Sequence, residues 1–374
     1  MPAKAMKKSK VGFIQKAFLF FNIIAGISLL LSYSATIFDP IKIWYFSFFG
    51  LAYPFILLIN ILFIFLWLIS KRWYFIFSLT LILAGYQAFN KTIGLRSLTE
   101  AVRDSTTIKL MSYNVHYLKK FGEELDTATR SGIFRLIETE QPDIIGFQEF
   151  FTRTKGKYDV KDSLLKILDT KHYYYSPYVD NKYESAGVAV YSKYPILKSG
   201  NIQLENENGS NRGIWIDVKK DALIFRVYVV HLASISFKPE DYSFLNNVKG
   251  DINKSKDVVS SKRIARKLRN AFIKRSEQVK ILQKEMESCT TPYIVMGEFN
   301  DTPVSYAITQ MTKKLKNGFA EKGSGLGITY NGDFPNFQID YILASLEFDF
   351  KDYKIIKRDF SDHYPVCSTV TLSK

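Results

Sequence analysis

The sequence contains very little cysteine, which limits the kinds of site it can hold. Two cysteines occur in 374 residues, and no C-x-x-C spacing exists. This argues against a zinc knuckle and against a disulfide framework. Cys289 and Cys367 are therefore expected to be two small buried residues, with a single bridge between them as the alternative. The chain also lacks internal repeats and low-complexity linkers. The segment 93–106 is the expected tether between the amino-terminal part and the rest of the chain.

Acidic residues are nearly missing from the first 106 positions. This part holds 11 Lys or Arg and 3 Asp or Glu, and the runs 17–38, 43–70 and 73–90 carry no charge. A helix that spans a membrane needs about 20 apolar residues. Each run is therefore predicted to form a helix that spans the membrane. Trp and Tyr lie near the ends of the runs, and these residues are enriched at membrane–water interfaces. Pro54 is expected to kink the second helix locally.

Basic residues give the predicted orientation. Lysines precede the first run, Lys71 and Arg72 link the second run to the third, and the first loop has only Lys42. Basic loops favour the cytoplasm, which places the amino terminus there and the chain after about residue 91 on the periplasmic or external face. A cleaved signal peptide over the first run is the alternative, and it leaves the same outer location. The preceding lysines are Lys4, Lys7, Lys8 and Lys10.

The remaining residues, 107–374, have the composition of an ordinary soluble domain with a large core. Strand-length apolar runs alternate with helical patterns, which predicts an α/β layered fold with two sheets. The expected domains are a three-helix transmembrane anchor over 1–92, the tether, and a catalytic domain over 107–374. The predicted strands are 108–115, 143–150, 187–192, 213–218, 223–232, 293–299 and 338–345, and the predicted helices are 123–140, 160–169 and 261–287.

Polar residues interrupt the apolar runs close to their ends. A buried charge without partners is costly, so such residues should converge on one another, on a metal or on solvent. Side chains two positions apart in a strand point to the same side, which lets Glu298 and Asn300 face one pocket. His116 can face that pocket too, although a structural or surface role is the safer expectation. The interrupting residues are Asn114, Glu149, His231, Glu298, Asn300, Asp340, Asp362 and His363.

The motif set YNV, QE, HL, GEFND, IDYIL and SDHYPV resembles the endonuclease/exonuclease/phosphatase superfamily over roughly 107–372. That superfamily includes deoxyribonuclease I-like nucleases, neutral sphingomyelinases and inositol polyphosphate 5-phosphatases. Each motif alone is short. The resemblance rests on the order of the motifs and on their positions at strand ends. It implies a four-layered α/β sandwich of two packed mixed sheets. It also implies hydrolysis of phosphodiester or phosphomonoester bonds with a divalent metal, Mg²⁺ first and Mn²⁺ or Ca²⁺ as alternatives.

The resemblance assigns a role to each matching residue. Mg²⁺ takes hard oxygen ligands, and a well-placed donor to developing phosphoryl charge contributes about 3 kcal/mol. A carboxylate beside a histidine fixes its tautomer and favours its protonated form. An arginine in a loop before a strand, Arg212, is a further candidate for substrate phosphate. The implied metal ligands are Glu149, Asn114 and Asp362, and Asn114 also binds substrate. The implied catalytic residues are His231, Glu298, Asn300, Asp340 and His363.

Glu298 stands where the family motif GDFN has aspartate. One extra methylene displaces the carboxylate by about 1–1.5 Å, and a misplacement of about 1 Å can lower a rate about a hundredfold. Either Glu298 serves with an adjusted backbone, or the enzyme is slow or altered in substrate, or the chain is a catalytically impaired membrane protein that binds a phosphorylated ligand. The first two readings are favoured together, and Glu298→Asp is then expected to preserve or raise activity.

The segment 249–285 holds 12 Lys or Arg against 4 Asp or Glu. It is either a patch for a phosphate-rich polymer or anionic lipid headgroups, or a solvated helix face. The expected partners are therefore the lipid bilayer and a phosphoester substrate, which is either nucleic acid or a phospholipid or lipid-linked phosphate. The predicted helices favour the lipid, because they hold the active site near a bilayer.

Overall fold

The computed structural model describes residues 12–97, 100–120, 124–205, 209–247, 254–332 and 334–373. The four lysines before the first apolar run, which entered the predicted orientation, lie outside the described residues. So do residues 98 and 99 of the predicted tether.

The first 92 residues form helices rather than strands. Among the described residues, only the first helix is long and apolar enough to cross a membrane alone, and a signal sequence near the amino terminus would pass the same test. Of the three predicted spanning helices, one is therefore supported by its own length and composition. The second run breaks at Ala52, just before Pro54 in the first turn of the next helix, and the third run breaks at Gly85. The helices are α1 (Phe13–Ser34), α2 (Phe46–Leu51), α3 (Tyr53–Ile69), α4 (Phe75–Ala84) and α5 (Tyr86–Thr92).

Buried polar side chains hold α1, α3 and α4 together. Asn22 donates its amide to Ser78 at 2.6 Å, and Ser78 donates to Asn60 at 3.0 Å. The indole of Trp67 donates to the Asn22 carbonyl at 2.9 Å, and all four side chains are fully buried. Such hydrogen bonds are typical of helices that pack in lipid. Large apolar side chains on these helices are exposed instead, among them Phe13, Phe20, Leu62, Phe65 and Leu83.

Two sheets make up most of the remaining chain, with strands numbered in chain order. One has the order β13-β15-β2-β3-β5-β4 with β14 beside β15, and the other has the order β10-β12-β9-β8-β7-β6. The first comprises β2 (Ile108–Asn114), β3 (Ile144–Arg153), β4 (His172–Asp180), β5 (Glu184–Ser192), β13 (Phe348–Phe350), β14 (Lys354–Ile355) and β15 (Val366–Leu372). The second comprises β6 (Ile196–Gln203), β7 (Arg212–Lys220), β8 (Leu223–His231), β9 (Tyr293–Glu298), β10 (Lys316–Asn317) and β12 (Asp340–Ala344).

Helices cover the outer faces of both sheets. One apolar core lies between the sheets, because alternate residues of β2, β3, β5, β7, β8, β9 and β12 point inward. A second core joins the first sheet to α6 (Thr127–Glu140) and α7 (Val160–Ile167), and a third joins the second sheet to α9 (Lys254–Glu287) and α10 (Tyr306–Met311). The remaining helices are α8 (Pro239–Asn247) and α11 (Gly318–Lys322). The predicted mixed α/β fold with packed sheets is confirmed.

Both cysteines are free. Cys367 lies in the core between the first sheet and its helices, and Cys289 is half-buried at the end of α9. The alternative of a single bridge is therefore wrong, and the expectation of two unpaired residues is met, although only one of them is fully buried.

The helical segment packs directly against α9. Asp39, in the loop after α1, accepts hydrogen bonds from Ser276 at 2.7 Å and from Lys280 at 2.6 Å. Phe48 of α2 packs edge-on against Phe272, with ring centroids 5.4 Å apart. The loop between α1 and α2 is thus held against the sheet domain.

The end of the helical segment also reaches the sheet domain. The short strand β1 (Ile93–Leu95) pairs antiparallel with β11 (Ser324–Leu326), and Lys91 donates to Thr312 at 3.0 Å. At the opposite end of the helices, Arg72 donates to Gln15 at 3.1 Å, which joins the turn after α3 to the start of α1. The first loop and the end of α5 therefore face the sheets, and the turn at 71–72 lies at the other end.

Candidate active site

Strand register brings polar residues from four strands to one edge of the sandwich. β2 runs parallel to β3, β8 runs parallel to β9, and β12 is antiparallel to β9. His231 therefore lies opposite Glu298, and Glu298 lies opposite Asp340. Residues two or four positions away in these strands belong to the core between the sheets. Because side chains alternate along a strand, Asn114, His231, Glu298 and Asp340 lie where that core ends.

Glu149 reaches the same place because β3 is irregular there. Its pairing with β5 shifts register between Phe147 and Phe150, and both phenylalanines point into the outer core. Glu149 has a φ of 50°, a backbone conformation that few non-glycine residues adopt. The bulge turns its carboxylate inward, to within 4.8 Å of the ligating atoms of His231 and Glu298. Strained backbone of this kind concentrates at functional sites.

Glu298 is the centre of the cluster. One carboxylate oxygen accepts a hydrogen bond from Asn114 at 2.5 Å and lies 3.3 Å from Nε2 of His231. The other oxygen lies 3.6 Å from Nε2 of His363. The side chain is almost fully buried, and this burial raises the pKa of Glu298. The two histidines oppose the rise, and the neighbouring carboxylates, Asp340 first, add to it.

Gly297 permits this placement of Glu298. Its φ is 141°, and a Cβ there would clash with the carbonyl oxygen of Val230 on the neighbouring strand. A residue with a side chain would force β9 away from β8. The close approach of β8 therefore requires glycine at the position just before Glu298.

Asp340 and His363 form a buried pair. Nδ1 of His363 lies 2.9 Å from a carboxylate oxygen of Asp340, and both side chains are nearly inaccessible. Burial alone would lower the pKa of His363. The carboxylates of Asp340 and Glu298 outweigh that effect and hold the pKa well above its ordinary value. The imidazole is thus set up to carry a proton.

Two buried hydroxyl groups fix this pair in position. The Thr329 hydroxyl accepts the backbone N–H of Asp340 at 3.1 Å. The Ser361 hydroxyl accepts the backbone N–H of His363 at 3.2 Å and donates to the carbonyl of Asn114 at 2.8 Å. The SDH segment is thereby fastened to the end of β2, where the first motif ends.

His116 lies inside the pocket rather than on the outer surface. Its Nδ1 is 3.4 Å from Glu149 and 3.3 Å from Asp362. Burial opposes its protonation, but the hydrogen bond to Glu149 and the charge of Asp362 raise the pKa of His116 overall. Burial would likewise raise the pKa of Glu149, yet the neighbouring histidines, His116 first, lower it. The residue two positions after Asn114 thus joins the site.

Arg275 is a site residue that the sequence analysis missed. It projects from α9, is 1 % exposed, and lines the pocket. Its guanidinium donates to the backbone carbonyl of Asn300, and its Nε lies 3.3 Å from Asp301. The Asn300 side chain donates to the carbonyl of Leu232 at 3.0 Å. The available signal was an arginine within the apolar stripe of α9, whose buried members include Leu268, Phe272, Val279 and Leu282.

Arg212 is not brought into the pocket. It opens β7, lies opposite His231 in register, and donates to Ser176 at 3.4 Å on the other sheet. The predicted residues that line the pocket directly are Glu149, Glu298, Asn300, Asp362 and His363. Asn114, His231 and Asp340 act on these through contacts with Glu298 and His363.

The pocket has a volume of about 230 Å³ and two unlike halves. The carboxylates and histidines form one half. Aromatic and aliphatic side chains form the other, and one of them, Leu51, comes from α2 of the helical segment. Apolar residues of the second half include Phe237, Leu268, Phe272, Phe334 and Phe337.

Two groups of side chains could hold a divalent metal. One contains Glu149, His231 and Glu298, and the other contains Glu298, Asp340 and His363. Within the second group, the Asp340–His363 hydrogen bond already engages both partners. The first group, with the oxygens of Glu149 and Glu298 facing the pocket, is the better fit to a hard cation. A cation there would also compensate the crowded carboxylates.

Comparison with known families agrees with this geometry. Residues 111–363 match the Endonuclease/Exonuclease/phosphatase family, and residues 15–92 match a domain of unknown function, DUF8431. The first match covers more than half of the chain, so the chain belongs to the Endonuclease/Exonuclease/phosphatase family. No curated protein matches the sequence.

Solved structures share the fold. An endonuclease/exonuclease/phosphatase from Bacteroides vulgatus is 18% identical, with 72% of this chain and 100% of that chain covered and a TM-score of 0.52. The human nocturnin catalytic domain with bound sulfate is 18% identical, with 77% and 99% covered and a TM-score of 0.51. A protein from Beutenbergia cavernae DSM 12333 is 18% identical, with 72% of each chain covered and a TM-score of 0.50. At these identities the likeness concerns the fold alone.

Proposed function

We propose that this chain is a membrane-anchored, divalent-metal-dependent phosphoesterase. The observation that carries the proposal is that Glu149, Glu298 and His363, from separate strands and loops, line one pocket, with His231 beside Glu298. Around it, carboxylates lie close together, and a bound cation would compensate their charge. Family membership supports phosphoester chemistry.

Each residue type suits that chemistry. A bound divalent cation would neutralise charge on the phosphoryl oxygens. Protonated His363, held by Asp340, donates a hydrogen bond to developing negative charge, and His231 helps to position the Glu298 carboxylate. The Glu298 carboxylate, whose pKa is raised, is suited to orient the attacking water and accept its proton. Glu149, whose pKa is lowered, stays ionised as a metal ligand.

The geometry favours catalysis over the impaired binding protein. Glu298 contacts both histidines and Asn114 in spite of its extra methylene. A site kept only for binding has no need to orient one carboxylate by three separate side chains. We therefore assign Glu298 the role of the motif aspartate.

The helical segment is the proposed anchor. Its polar side chains are buried and its large apolar side chains are exposed, an arrangement that suits lipid rather than water. We propose three passes, made by α1, by α2 with α3, and by α4 with α5. This places the first loop and the end of α5 beside the sheet domain on the external face, in line with their contacts to α9 and β11. The turn at 71–72 is then cytoplasmic.

Several basic residues of α9 make contacts within the chain, which leaves less of its basic surface for nucleic acid. Lys267 pairs with Asp241 and Lys274 pairs with Glu205, while other basic residues of this helix contact the helical segment. Arg269 stacks on Trp44 and Lys280 pairs with Asp39. The apolar half of the pocket favours a substrate with an apolar group near its phosphate. A phospholipid or lipid-linked phosphate is therefore the favoured substrate.

Turnover by the full-length protein in detergent tests the proposal. With Mg²⁺, we expect hydrolysis of bis-p-nitrophenyl phosphate and of at least one lipid among sphingomyelin and phosphoinositides, and loss of it in EDTA. Glu149→Ala and His363→Ala should remove it. Plasmid DNA serves as the competing substrate, and cleavage of DNA alone would reverse the lipid assignment. Tight binding of a phosphoester without turnover on any substrate would establish the binding protein instead.

A further inference from the structure

A second cavity adjoins the candidate active site and is walled by the helical segment. Its volume is about 300 Å³, and it lies between α3 and the segment that ends at Gln338. Helix α3 contributes Phe55 and Leu58, and the facing wall contributes Leu326 and Ile328. None of its lining residues is charged, and apart from Thr92, Asn336 and Gln338 the lining side chains are apolar, so a hydrocarbon is favoured there over an ion.

Phe337 joins this cavity to the active-site pocket. Its side chain lines both. The ring meets Phe55 of α3 with centroids 6.2 Å apart, and Phe334 of the active-site pocket with centroids 5.9 Å apart. Along the chain, Gln338 lines the apolar cavity and Ile339 lines the active-site pocket. The segment 337–339 therefore forms a wall that the two spaces share.

The wall that α3 gives the cavity continues along an exposed apolar face of this helix. Phe55 and Leu58 of the wall are each about half exposed, as are Leu62 and Phe65, which lie four and seven positions after Leu58 on the same face. Since α3 is proposed to lie in the bilayer, one face of this helix both meets lipid and forms the cavity wall. A hydrocarbon chain that passes from the bilayer to the cavity stays against apolar side chains throughout.

We propose that this cavity, named here the chain cavity, binds a hydrocarbon chain of a membrane-lipid substrate whose phosphoester lies at Glu149 and Glu298. The inference rests on the proposed phosphoesterase activity and deepens it by assigning the site that binds the hydrocarbon part of the substrate. The two volumes, one polar and one apolar with a shared wall at Phe337, match the two ends of such a molecule. Membrane attachment and substrate choice are then functions of the same helix.

Two chromogenic diesters that differ only in chain length test the inference. Water adds to the phosphorus of p-nitrophenyl ethyl phosphate or p-nitrophenyl hexadecyl phosphate, and p-nitrophenolate leaves, which yields the alkyl phosphate. In the full-length enzyme in detergent micelles, we expect kcat/KM for the hexadecyl ester to exceed that for the ethyl ester by about tenfold or more, since each buried methylene favours binding. Leu58→Trp fills the chain cavity and should reduce that ratio to about one.

Ile59→Trp is the matched control, since Ile59 is the next residue on α3 and does not line the cavity. It should keep the wild-type ratio, which separates cavity binding from simple partition into micelles. A wild-type ratio near one, or an equal loss of ratio in Ile59→Trp and Leu58→Trp, would overturn the inference.

A binding measurement keeps this inference separate from the proposed activity. Hexadecyl phosphate with a diazirine at the chain end is crosslinked to the full-length Glu149→Ala variant, which needs no turnover. We expect labelled peptides from α3 and from residues 326–338, and loss of both labels in Leu58→Trp.

Labelling elsewhere refutes the chain cavity even if the enzyme is active. Labelling there with no hydrolysis of any ester by the wild type refutes the proposed activity alone. Labelling there with an unchanged kcat/KM ratio in Leu58→Trp shows a structural lipid and overturns the substrate assignment.

Discussion

The side-chain amide of Asn114 donates to the carboxylate of Glu298 across 2.5 Å, although the two residues end strands in different sheets. This hydrogen bond joins the sheets at the point where the apolar core between them stops. It depends on the length of the glutamate, since an aspartate at the same backbone position would fall short by about 1–1.5 Å. Both partners are nearly inaccessible to water, so no solvent replaces the contact without rearrangement.

Glu298→Asp should lower kcat for bis-p-nitrophenyl phosphate about 10-fold to 100-fold, because the carboxylate retreats from Asn114 and both histidines. This reverses the expectation from the family motif, where aspartate is the usual residue. Steady-state kinetics of the purified full-length protein measures the effect, and thermal unfolding checks that the fold is retained. An equal or faster aspartate variant would show that the backbone, and not the extra methylene, places this carboxylate.

Asp340→Asn should move the alkaline limb of the pH–rate profile to lower pH. The Asp340 carboxylate helps to hold the pKa of His363 well above its ordinary value, so removing the charge lowers that pKa. If protonated His363 serves the reaction, activity is then lost at a lower pH as the imidazole deprotonates. Profiles of log kcat against pH for both proteins give the shift directly.

Asp359→Asn is the control for this measurement. Asp359 is exposed, accepts a hydrogen bond from Tyr364, and lies four positions before His363 without touching it. The control should keep the wild-type profile. If the alkaline limb of Asp340→Asn stays in place as well, the proton that matters does not belong to His363.

Most of the strands could be predicted from sequence because their apolar runs are continuous. All seven predicted strands are present, and the helices over 127–140, 160–167 and 254–287 correspond to the three predicted ones. Among the strands longer than three residues, β4, β6 and β15 were not predicted. β4 and β6 lie at sheet edges, where many residues are partly exposed. Their sequences, YYYSPY and ILKSGNIQ, therefore lack a continuous apolar run. The strand-end position of Asn114, His231 and Glu298 followed from the same runs.

Other parts of the site could not be read from local pattern. The bulge that turns Glu149 inward is a property of its pairing with β5, which no short sequence window contains. Arg275 sits in the apolar stripe of a helix far from every motif and meets Asp301 only in the folded chain. Leu51 belongs to a separate segment that docks on the sheets. The positions of Glu149, Arg275 and Leu51 in the site therefore depend on tertiary contacts.

Arg275→Met should lower the thermal unfolding midpoint of the full-length protein by about 10 °C, because removing one partner of a buried ion pair costs about 3–5 kcal/mol. Asp301, itself buried, would be left without its counter-charge. The double variant Arg275→Met with Asp301→Asn should lose less than the sum of the single variants. Lys274→Met, next on the helix and paired with Glu205 at the surface, should change the midpoint little. Additive losses in the double variant would show that the two residues do not act as a pair.

Labelling of single cysteines tests the orientation of the anchor. In a background with Cys289→Ser and Cys367→Ala, one variant carries Lys71→Cys in the turn between α3 and α4, and another carries Lys314→Cys, an exposed position of the sheet domain. A membrane-impermeant maleimide should label the second in intact cells and the first only after permeabilisation, since three passes put these positions on opposite faces.

The labelling pattern separates the alternatives because each places the two positions differently. The reverse pattern would invert the topology while keeping one pass between the turn at 71–72 and the sheet domain. Labelling of both in intact cells would mean that α4 and α5 together, 17 residues interrupted at Gly85, do not cross the membrane. A cleaved first run leaves the expected pattern unchanged, so an amino-terminal tag is followed in parallel, and its loss from the mature protein would identify α1 as a signal peptide.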